Sequence, residues 1–88
     1  LIQYAAFGMM FAQVVGYTFT ELEYFIVDAH IYEMQYKHVK ELLSRRPRRF
    51  PTVTLDPNIT DIFSFRPEHF TLHDDYNPHP FMNIPTPV

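Results

Sequence analysis

The chain has 88 residues, 47% of them apolar and 17% aromatic, so it forms at most one small domain, rich in core-forming side chains. Its net charge is −3 and its one basic cluster is RRPRR, residues 45–49, which excludes the concentrated positive footprint of a nucleic-acid binder. It has no cysteine, which removes disulfides, thiolate-ligated zinc and a thiol nucleophile, and fits a reducing, cytoplasmic location.

The opening LIQYAAFGMMFAQVVG reads as a helix over about 1–16, ended by Gly16, which can take the left-handed conformation just past a helix end. Gln3, Gln13 and Gly16 interrupt the apolar run before about 18 residues accumulate, so no membrane span is expected. Apart from those residues the helix is apolar nearly all round and wants protein on every side. With no initiating Met, this implies a piece of a larger protein or one half of a tight oligomer.

The segment ELEYFIVDAHIYE supports two readings. Thr20 and Glu23 together would cap a helix. The run Tyr24–Val27 favours a strand, over about 22–32. As a strand it places Asp28, His30 and Tyr32 on one face, about 6.6 Å apart per step, with a common target. As a helix they would spread around the axis. The strand is therefore preferred. A burial cost of roughly 1–3 kcal/mol for an unpartnered polar group makes that target worth seeking.

MQYKHVKELLSR predicts a helix over about 34–45, with Gln35, Val39, Leu42 and Leu43 at helical spacing and Pro47 closing it. RRPRRFP is extended, since residues before proline avoid the helical region. Thr52–Leu55 predicts a strand ending in an Asp56-Pro57-Asn58 turn, and Phe70–Asp75 a second short strand. The tail YNPHPFMNIPTPV holds four prolines, so it is neither helix nor central strand, yet it is too apolar for a free linker. The fold class is α+β: a long apolar helix, an interface strand, a second helix and short strands with an extended tail. Of the five histidines, only His69 and His73 have zinc-like spacing, in a poor loop context, and no metal is expected.

Three blocks, in order and at matching spacing, carry a resemblance: DAHIY (28–32), RRPRRFP (45–51) and DYNPHP (75–80). Together they resemble the C-terminal third of thymidylate synthase, and IQYA resembles the start of that family's central helix. After DAHIY the family usually continues x-N-H; this chain has Glu33, Met34 and Gln35. The resemblance implies an incomplete part of the thymidylate synthase α/β fold. It implies that His30 and Tyr32 hydrogen-bond the 3′-hydroxyl of the dUMP deoxyribose, and that the tail end, Pro87 and Val88, folds over a bound folate, 5,10-methylenetetrahydrofolate. The complete enzyme would reductively methylate dUMP to dTMP as a homodimer.

The family's reaction needs a cysteine thiolate that adds to the pyrimidine ring. The chain has none, so alone it is expected to be inactive, as a truncated reading frame or one part of a split enzyme whose N-terminal portion is elsewhere. Two alternatives are a fragment of a nucleotide hydroxymethylase of the same fold and a non-catalytic, self-associating module.

Overall fold

The computed structural model describes residues 1–73 and 76–87. They form an α+β arrangement: α1 (Ile2–Val15), α2 (Tyr36–Ser44), β1 (Thr52–Leu55) and β2 (Phe70–His73), with short 3₁₀ turns at Glu33–Gln35, Ile62–Ser64 and Pro67–His69. Two compact units emerge, Leu1–Phe25 with Pro51–Asp75, and Ile26–Phe50 with Tyr76–Val88.

In the first unit α1 ends at Gly16, whose φ of 79° is left-handed. The Gly16 N–H donates to the Gln13 carbonyl and the Tyr17 N–H to the Ala12 carbonyl, a pairing that satisfies two end carbonyls of the helix. Gly8 serves a different need. A Cβ there would stand 2.5 Å from the Phe19 ring, so the missing side chain lets that ring lie against the helix.

β1 and β2 pair antiparallel, with Thr52 opposite His73 and Leu55 opposite Phe70. Alternation puts Thr52, Thr54, Thr71 and His73 on one face and Val53, Leu55, Phe70 and Leu72 on the other. On the polar face the Thr54 hydroxyl meets His73 Nε2 at 2.6 Å. On the apolar side, Ile2, Ala5, Ala6 and Met9 of α1 line a groove with Val53 and Phe70. Gln13, an interruption in the apolar run of α1, reaches the strand-to-turn connection: its Nε2 donates to the carbonyls of Asp56 and Ile59 at 2.9 and 2.8 Å. The Asp56-Pro57-Asn58 turn forms as expected, closed by the Asn58 N–H on the Asp56 carboxylate at 2.9 Å.

In the second unit α2 begins one 3₁₀ turn after Tyr32 and stops at Arg45, which is already extended. The basic bend then grips the tail. Arg45 Nη1 donates to the Pro80 carbonyl at 2.9 Å, and Arg48 Nη1 to the Pro78 carbonyl at 2.9 Å. In return His79 Nε2 donates to the Arg46 carbonyl at 2.7 Å.

The expected strand over 22–32 does not form. Residues 17–32 carry no ladder, and the chain turns at Val27–Asp28. A strand exists by pairing, and among the described residues the ladder joins β1 only to β2, leaving 22–32 without a neighbour. Alternation of side chains specifies a face and leaves the partner unspecified. Nor is this stretch buried: Phe25 is 85% and Val27 fully exposed. Among the described residues no side chain reaches full burial, so α1 keeps Ile2, Tyr4, Phe7 and Phe11 open.

Candidate functional site

The chain turns at Val27–Asp28, and beyond the turn the His30 and Tyr32 rings come together while the Asp28 side chain stays apart. The turn brings His30 back on its own chain, where Nδ1 lies 2.8 Å from the Asp28 carbonyl oxygen. A carbonyl only accepts, so Nδ1 carries the proton. In the neutral ring Nε2 is then left with its lone pair, free to accept a hydrogen bond. The Asp28 carboxylate takes a lesser part: it is 96% exposed and 3.9 Å from the same nitrogen. The backbone of Asp28, rather than its side chain, orients the imidazole.

The His30 and Tyr32 rings meet edge to face, centroids 4.8 Å apart and planes at 82°. Such a contact fixes both rings at once. His30 is half exposed and Tyr32 45% exposed, so the pair is open to solvent and not locked in a core. An acceptor nitrogen and a phenol, which both donates and accepts, therefore stand side by side at an accessible edge. This donor set suits one hydroxyl group, which would donate to Nε2 and accept from the phenol.

Tyr32 is held from behind by Gln35. The Tyr32 N–H donates to Gln35 Oε1 at 3.1 Å, and the Gln35 N–H donates back to the Tyr32 carbonyl at 2.9 Å. Sequence reasoning took Gln35 as an apolar-face position of the helix and as a departure from the family pattern. Its side chain is instead the link between Tyr32 and the tail, since Nε2 donates to the Pro85 carbonyl at 2.8 Å. A glutamine three residues after the tyrosine, where a helix starts, was the available signal.

Compared with models of known protein families, the chain matches the one described as thymidylate synthase over residues 1–88. The chain belongs to the thymidylate synthase family. The blocks around residues 28–32, 45–51 and 75–80 thus lie in a family domain, and the structure joins the second block to residues 77–80 of the third through Arg45, Arg48 and His79. Asp75 itself lies outside the described residues.

Of the tail residues expected to meet the folate, Pro87 is exposed, and Val88 lies outside the described residues. A folate presents a flat pterin with a polar edge. The pyrrolidine ring of Pro87 can cover such a surface, while the polar edge needs other groups. Among the described residues no group of three or more His, Asp or Glu is placed to hold a metal ion, and no helix is long and apolar enough to cross a membrane.

Proposed function

We propose that this chain supplies the deoxyribose-gripping edge of a thymidylate synthase, with His30 Nε2 and the Tyr32 hydroxyl on the 3′-hydroxyl of dUMP. The observation that carries the reading is the edge-to-face pair at 4.8 Å, whose imidazole is tied through Nδ1 to the Asp28 carbonyl so that its acceptor nitrogen is free. The family match supports the substrate class. The hydroxyl donates its proton to Nε2 and accepts from the phenol, so both its roles are met by rings that already hold each other. Preorganisation of this kind lowers the ordering cost of binding.

In the complete enzyme the folate supplies the one-carbon unit and the reducing equivalents that turn dUMP into dTMP. This chain's part is to bind and orient the sugar. Having no cysteine, it does not provide the nucleophile, and the 88 residues alone are inactive. Pro87 and Val88 form the end of the tail that lies over the folate; what supports this is their place in the matched family segment. The complete enzyme is a homodimer, a reading supported by the exposed apolar side chains of Ile26 and Val27.

The test is a side-chain NMR titration with dUMP and with its 3′-deoxy analogue. The His30 and Tyr32 ring signals are expected to shift with dUMP and to stay in place with the analogue. Equal shifts with both nucleotides would assign the contact to some other group and sink the reading.

A further inference from the structure

Gln35 sits half buried, with one amide engaged at both ends. Its Oε1 accepts from the Tyr32 N–H at 3.1 Å, while Nε2 donates to the Pro85 carbonyl at 2.8 Å. The two partners leave no freedom in how this amide is oriented. A backbone N–H can only donate, and a proline contributes a carbonyl and no N–H. Turning the amide over would set donor against donor at Tyr32 and acceptor against acceptor at Pro85. The amide group is flat and stiff, so its position at one end dictates its position at the other. The Gln35 N–H, bonded to the Tyr32 carbonyl at 2.9 Å, removes the remaining slack.

We infer that Gln35 is a positioning residue that ties the backbone of Tyr32 to the C-terminal tail at Pro85, so that the state of the tail is felt at the sugar-gripping ring. Its significance for binding rests on the reading of Tyr32 as a nucleotide contact. The tie itself does not depend on that reading. Coupling of this kind is reciprocal: a ligand that steadies Tyr32 steadies the tail, and a tail pulled away loosens Tyr32. The residue touches neither hydroxyl nor base. It acts through the tyrosine it holds.

The experiment uses the intact natural protein that carries this chain, in four forms: unaltered, Gln35→Ala, Gln35→Glu, and a form ending after Ile84. Hydrogen exchange at the Tyr32 amide reads the tie without any nucleotide. Ending the chain after Ile84 is expected to speed that exchange about fivefold, and Gln35→Ala by a similar factor. Combined, the two changes should give no more than either alone. Gln35→Glu keeps the acceptor for the Tyr32 N–H and loses the donor for Pro85. It should therefore act like the truncation, speeding exchange at the Tyr32 amide about fivefold while raising the rate of protease cleavage in the tail. A general loss of packing would also speed exchange at the ladder amides of Thr52–Leu55, which the tie leaves protected. Unchanged exchange at Tyr32 on removing the tail, or fully additive effects of truncation and Gln35→Ala, overturns the inference. A parallel dUMP titration keeps the two ideas apart. Failure of the unaltered protein to bind dUMP strikes the proposed function, while the exchange data still decide the tie.

Discussion

The unit containing β1 and β2 and the unit containing α2 and the tail are held by different means. In the first, backbone pairing leads, Thr52–Leu55 against Phe70–His73, with a left-handed glycine closing α1 and the Gln13 side chain adding bonds to two carbonyls. In the second, extended chain is held by side chains that reach carbonyl oxygens: Arg45 to Pro80, Arg48 to Pro78, Gln35 to Pro85. A ladder is indifferent to which side chains stand on it, provided they fit the face. A tail gripped by side chains depends on a few named residues. The first kind of structure is broken by altering backbone or shape, the second by removing a single donor.

The sharpest test of the first unit is Gly8→Val, since even a Cβ at this position stands 2.5 Å from the Phe19 ring. Crowding of this size costs about 2 kcal/mol, and the midpoint of denaturant unfolding should fall accordingly. Gly16→Val comes next, because a β-branched residue at φ 79° is strained; about 1–2 kcal/mol is expected, read in the same assay. Arg48→Ala removes the donor to Pro78 and its longer contacts with Asn77. These bonds are exposed and the effect is local, on the order of 0.5–1 kcal/mol. The expected result is faster proteolysis near residues 77–80 with unchanged exchange at the ladder amides of Thr52–Leu55. Loss of ladder protection in Arg48→Ala would erase the distinction drawn between the two modes.

The same contrast governs what could be read from the sequence. α1, its glycine stop, the Thr52–Leu55 strand and the Asp56-Pro57-Asn58 turn are local features, specified by neighbours a few residues apart. The segment 22–32 was legible in its polar groups and not in its conformation, because pairing depends on a partner that alternation does not name. The contact between His30 and Tyr32 nevertheless arises, through a turn rather than a pleat. Gln13 read as an interruption of an apolar face, and it proves to satisfy two carbonyls 43 and 46 residues away. Gln35 and the arginine bend could be found only by asking which distant backbone oxygens lack a partner, a question about the folded chain. The family blocks in the sequence marked where the grip lies without disclosing what grips what.

Pro78 and Pro80 stand two apart, so along one margin of the extended tail the amide hydrogens are missing and the carbonyl oxygens are occupied by arginine. That margin has nothing to offer a passing β-strand. Released from the bend, those carbonyls are free again, but Pro78 and Pro80 still have no N–H to give the edge of a foreign sheet. Its prolines thus make this stretch of tail a poor template for strand pairing.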